Sequence, residues 1–100
     1  MTETKIKSFA GDSELVLFGR VGCAHCDQLQ LALGLLVNQP GSVLERIPVR
    51  YVSIDGDTEL ESHYNEIVPV LCWGKRVVVA GAFDIETLGA ELQRAFEADS

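Results

Sequence analysis

The sequence predicts an α/β domain in the order β-α-β-α-β-β-α, with a four-stranded mixed sheet flanked by helices. Three observations predict it. A short continuous apolar run at 14–19 ends in Gly19, just before two cysteines, Cys23 and Cys26, and a long helical pattern. A second run at 47–54, rich in β-branched and aromatic residues, follows that helix, so the two strands should lie parallel through a right-handed crossover. Two further runs, 68–73 and 76–80, are separated only by Gly74 and Lys75, the spacing of an antiparallel hairpin.

Taken in order, residues 1–13 are polar and aperiodic, and a disordered or extended lead-in is expected there. Residues 14–98 then make a single domain. The unbroken apolar character of 14–19 fits a strand buried on both faces. Leu29, Leu31, Leu33 and Leu35 alternate as a strand would, yet the segment consists mostly of good helix formers, and a helix over 24–37 is expected. Leu29, Ala32, Leu33, Leu36 and Val37 share one arc at roughly 100° per residue. Leu31 and Leu35 widen it, so the helix should be covered on more than one side, by another helix or by a partner chain, with the last helix as the default. Pro40-Gly41 ends it. Pro48 suits an edge position for the second strand. Asp57 or Thr58 can cap a short helix reaching about Asn65, and Asp84 can cap a last one carrying Ile85, Leu88, Leu92 and Phe96 at helical spacing.

One hundred residues suffice for one domain with its own core. Fifteen acidic against eight basic residues give a net charge of −7, which argues against nucleic acid or anionic membranes as partners. No apolar run approaches the roughly 20 residues that span a bilayer. Residues 1–8 show no signal-peptide core, so a cytoplasmic location is expected. In that compartment a close cysteine pair is more often catalytic or metal-binding than structural. The count of three cysteines likewise argues against a stapled scaffold.

The chemistry follows from where the pair falls. Cys23 opens the helix, among N–H groups that lack intrahelical partners and at the positive end of the helix dipole. Both favour thiolate over thiol. Cys26, one turn on, lies on the same side and can close a disulfide with Cys23. Cys23 is therefore expected to attack and Cys26 to resolve. Arg20 and His25 should modulate the pair, His25 by stabilising the thiolate. Zinc also uses Cys-x-x-Cys, but only Cys72, His25 and His63 remain as further thiol or imidazole ligands, so no metal site is expected. An iron–sulfur or metal carrier, and an interaction module with idle cysteines, are the competing readings. Cys72 reads as a buried small hydrophobe, His63 as a surface residue, and Trp73 as hairpin packing. Turn and cap chemistry accounts for Asp55 and Asp57.

Strand, Cys-Ala-His-Cys, helix, and a later Val68-Pro69 before a hairpin together resemble the thioredoxin fold, and within it the small glutaredoxin-like proteins. The likeness runs from about Leu15 to Phe96. Arg20 stands where glutaredoxins usually carry lysine. Asp55-Gly56-Asp57 with Leu60 and Tyr64 resembles the family's D-x-D…L…Y stretch, Ile67-Val68-Pro69 its T-V-P, and Gly81-Ala82-Phe83-Asp84 its G-G-x-x-D. The resemblance implies a thiol–disulfide oxidoreductase, with Pro69 cis and facing the sulfurs, and with Val68, Pro69, Gly81 and Asp84 binding substrate. It also implies protein disulfides or glutathione mixed disulfides as partners, glutathione as a candidate co-substrate, no other cofactor, and a monomer. Departures are specific: the proline of C-P-Y-C is absent, Ile67 replaces threonine, Ala82 replaces the second glycine, and the last hairpin is longer. The disulfide machinery is carried over more fully than the glutathione pocket. In oxidant relatives with C-P-H-C, histidine at this position raises the potential, so the pair here should be more oxidising than a plain thioredoxin motif.

Overall fold

The computed structural model describes residues 8–11, 14–45 and 47–98. Its elements are β1 (Leu15–Gly19), α1 (Ala24–Asn38), β2 (Val49–Ser53), α2 (Thr58–Tyr64), β3 (Val70–Trp73), β4 (Arg76–Ala80) and α3 (Ile85–Ala98), the predicted order. They form one four-stranded mixed sheet in the order β2-β1-β3-β4. β1 is central. It runs parallel to β2, with Gly19 opposite Ser53, and antiparallel to β3, with Phe18 opposite Val70.

The unbroken apolar run of β1 is explained by its two faces. Leu15 and Leu17 join Leu29 and Leu33 of α1 and Leu88 and Leu92 of α3 in one cluster. Val16 and Phe18 point the other way, into a cluster with Ile54, Leu60, Tyr64 and Cys72. The site is thus carried on a strand clamped from both sides, and the loop leaving its C-terminal end inherits that rigidity. β2 lies at the sheet edge, with Pro48 just before it.

α1 is a helix despite the alternating leucines, and it ends where Gln39 N–H returns to Leu36 C=O (3.3 Å) and Gly41 turns the chain at φ 79°. The expected cover for Leu31 and Leu35 is not there. They are 71% and 73% exposed. Leu31 sits two residues, roughly 200°, round the wheel from Leu29, so it faces away from the core. α3 packs its own stripe of Leu88, Leu92 and Ala95 against the body of the domain and leaves that outer face of α1 open.

Two other expectations are revised. Residues 8–10 form no element, but they are packed rather than frayed. Ser8 and Ala10 are buried, Ser8 Oγ donates to Gly74 C=O (2.6 Å), and Phe9 stacks edge-on against Tyr64 at 5.4 Å. The packed body therefore begins before residue 14; the rest of the lead-in lies outside the described residues, apart from exposed Gly11. β3 begins at Val70 rather than at residue 68, since Pro69 has no N–H for the ladder. Trp73 packs edge-on against Phe96 at 4.7 Å, as a hairpin residue would. Among the described residues no helix is long and apolar enough to cross a membrane.

Candidate active site

Cys23 is the N-cap of α1, with extended backbone (φ −95°, ψ 108°). Its sulfur accepts the Cys26 N–H at 3.1 Å, the bond a serine or aspartate cap would make. One of the unpartnered donors of the helix start is thus aimed at sulfur, and charge on that sulfur is stabilised by it. Cys23 and Cys26 are joined as a disulfide with Cα atoms 5.2 Å apart. The two sulfurs are unequally placed: Cys23 is half-buried, while Cys26 is 6% exposed. His25 is exposed in the first turn between them.

The loop before Cys23 is fixed from β2's end of the domain. Asp55 accepts the Val21 N–H at 3.3 Å and pairs with the Arg20 guanidinium at 3.7 Å. Arg20 also donates to Asn65 Oδ1. Its charge is therefore shared with a carboxylate, which weakens the field it can apply at Cys23. Gly22, at φ 83°, makes the turn into the helix. Asp57 caps α2 by accepting the Leu60 N–H at 3.0 Å. Turn and cap chemistry does account for both aspartates, but Asp55 in addition anchors the active loop.

Gly19 matters for space. A Cβ there would stand 3.2 Å from both Cβ and Sγ of Cys26. The missing side chain lets the buried Cys26 pack directly against the end of β1. Beside this contact lies a groove of about 510 Å³ walled by Leu17, Gly19, Cys26, Asp27, Tyr51 and Ser53, among others.

On the other side of β1, the Val68–Pro69 peptide bond is cis and Pro69 is fully buried. Gly81 donates its N–H to Pro69 C=O at 2.8 Å, fastening this loop to the end of β4. Val68 N–H is donated to Tyr64 C=O at 3.1 Å. Asp84 caps α3: its Oδ1 accepts the Glu86 N–H at 2.9 Å. Gly81 and Asp84 thus hold backbone in place here.

Cys72 is fully buried, with Sγ 4.0 Å from the Tyr64 hydroxyl. Burial pushes its thiol up, and it pushes the Tyr64 hydroxyl up as well. Among the described residues no three His, Cys, Asp or Glu side chains converge as a metal would need. The groove and the role of Asp55 were not foreseen from the sequence. The only signal for the groove was a glycine closing β1, immediately before the loop.

A mixed sheet carrying a cysteine pair at the first turn after its central strand defines a domain of the thioredoxin superfamily. The family model of the glutaredoxin-like domain (DUF836) matches residues 14–93, and the chain belongs to that family. The X-ray structure of structural-genomics target protein XcR50 from X. campestris is 33% identical, covering 80% of this chain and 96% of its own, with a TM-score of 0.65. The solution structure of protein Ne2328 from Nitrosomonas europaea is 25% identical, covering 90% and 95%, with a TM-score of 0.59. No curated protein matches the chain. Family and cysteine pair together support a redox role of the thioredoxin-superfamily kind.

Proposed function

We propose that this protein is a thiol–disulfide oxidoreductase that cycles Cys23 and Cys26 between dithiol and disulfide. The observation that carries the proposal is the asymmetry of the pair. One sulfur caps a helix and accepts its N–H, while the other is buried beside it. Exchange needs a thiolate that attacks and a second thiol that releases the product.

In the reducing direction, Cys23 thiolate attacks one sulfur of a substrate disulfide. The other substrate sulfur leaves as thiolate and takes up a proton, and a mixed disulfide forms at Cys23. Cys26, having lost its proton, then attacks Cys23 Sγ and expels the first substrate sulfur. Two electrons have passed to the substrate, and the protein is left with the Cys23–Cys26 disulfide.

His25 tunes the potential from its exposed position. Arg20 acts chiefly by holding the loop with Asp55. Pro69, Val68, Gly81 and Asp84 border the docking side. A docking strand would have to use Val68 C=O, because the N–H is already donated to Tyr64. Protein disulfides or glutathione mixed disulfides are the substrate class, with the domain acting as a monomer in the cytosol.

The experiment is trapping. With Cys26→Ser, substrate should stay covalently attached to Cys23 and be released by reductant. Equal capture by Cys23→Ser would overturn the assignment of roles.

A further inference from the structure

The face of α1 that α3 leaves open is one wall of a second groove. About 370 Å³ of space lies between α1 and the start of α3, lined by Gln28, Leu31, Leu35 and Gln39 on one side and by Ile85 and Leu88 on the other. The α1 residues recur every three or four positions and so form one stripe, roughly three helical turns long. Leu31, Leu35 and Ile85 are 71%, 73% and 67% exposed. Five large apolar or aromatic side chains stand exposed among the described residues, and three of them meet in this groove. Single exposed leucines need no explanation, but a cluster rimmed by polar side chains marks a contact surface.

The charges say what fits there. From Gln28 to Leu44 the sequence has no charged residue, in a chain that is 23% charged. The α1 wall is therefore neutral along its length. Acids gather at one end: Asp27 lies one turn before Leu31, and Asp84 and Glu86 flank Ile85, all three exposed. That is the disulfide's end of the domain, because α1 opens at Cys23 and α3 follows Gly81, whose N–H is held by Pro69 C=O. The two helices carry one lysine or arginine between them, Arg94. It comes nine residues after Ile85, roughly 180° round α3, and so faces away from the groove. A second copy of the chain, itself at −7, thus has no base on this face to offer these acids.

We infer that this groove docks an amphipathic helix of another protein, with its apolar stripe on Leu31, Leu35 and Ile85 and its lysine or arginine residues at the end that meets Asp27, Asp84 and Glu86. Helix-in-groove recognition uses apolar anchors at i, i+3 or i+4, and i+7, a span that this stripe accommodates. Charge at one end sets the direction in which the helix lies. The seated helix ends beside the cysteine pair. Docking uses neither sulfur, so its failure would leave the proposed exchange reaction standing.

The test is an NMR titration of the isotope-labelled full chain with a stapled peptide of about 14 residues, carrying leucines at i, i+3, i+4 and i+7 and lysines at one end only. Amide shifts should gather at 28–39 and 85–88. The same peptide with glutamates in place of the lysines should bind at least about tenfold more weakly. Leu31→Glu should weaken the lysine peptide by about tenfold or more. It should leave the urea midpoint unchanged, since that side chain already faces solvent. Shifts centred elsewhere, no binding of the lysine peptide, equal binding of the two peptides, or binding untouched by Leu31→Glu would each overturn the inference. So would a dimer in sedimentation that Leu31→Glu dissolves, which would give the face to a second copy. The comparison of the two peptides uses the wild-type chain, so it decides the matter even where the variant fails to fold.

Discussion

Cys26 and Cys72 are both buried cysteines in one small domain, and their surroundings assign them opposite fates. Cys26 lies one turn inside a helix whose cap is another sulfur, with a groove at its flank. Cys72 lies mid-strand among Val16, Phe18, Val70 and Tyr64, with burial holding its proton in place. Depth alone does not make a cysteine inert or reactive. What separates the two is a partner sulfur within reach and a path from solvent, and only the first region supplies both.

The largest effect that could break this contrast comes from Cys23. Cys23→Ser should reduce disulfide exchange, read by insulin reduction, to background, while Cys72→Ala should leave it at the wild-type level. A loss of activity in Cys72→Ala without unfolding would put the buried thiol in the reaction. Next in size is Gly19→Ala, which drives a methyl against Cys26. It should cost about 1–3 kcal/mol of stability in urea unfolding of the oxidised protein. No change there would mean that the space beside Cys26 is not tight.

Cys72→Ala should itself cost about 1 kcal/mol, the loss of a small buried group. Alkaline pH probes the same region. The folded protein raises the Cys72 thiol and the Tyr64 hydroxyl above their ordinary values of 9.0 and 10.0, so the unfolded chain releases those protons first. Their contribution to stability is complete below the ordinary values and is lost as pH climbs through them toward the raised ones. The urea midpoint should therefore fall between about pH 8 and about pH 10.5. A flat or rising midpoint would remove burial as the cause.

The smallest effect concerns tuning. His25→Ala should lower the reduction potential by about 30 mV, a tenfold change in the exchange equilibrium. The wild-type potential should lie above about −270 mV, the thioredoxin value. A wild-type value at that level, unmoved by the substitution, would remove His25 from the account.

Much of the architecture was legible because the signals were local. An apolar run stopped by glycine, helix formers after Cys23, and a hairpin at Gly74-Lys75 each depend on a few neighbouring residues. The cysteine pair was legible for the same reason. What escaped were relations between distant segments. Ser8 looks like part of a polar tail until its hydroxyl meets Gly74 C=O, sixty-six residues on. Asp55 looks like a turn residue until the loop at Val21 returns to it. The groove is formed by β1, α1 and β2 together, and no single stretch of sequence carries it. Leu31 and Leu35 misled for the opposite reason: their apolar character predicts burial, while helical geometry turns them outward.

The central claim, a Cys23 sulfur held as thiolate by the start of α1, is tested most directly by the pH dependence of iodoacetamide alkylation in the reduced, native protein. The account predicts rapid labelling of Cys23, half-maximal well below the pH of about 8.5 at which a free cysteine is half ionised, with Cys72 unlabelled until the protein is unfolded. Labelling of Cys23 that rises only near that ordinary value, or both thiols of the pair closed to the reagent, would contradict it.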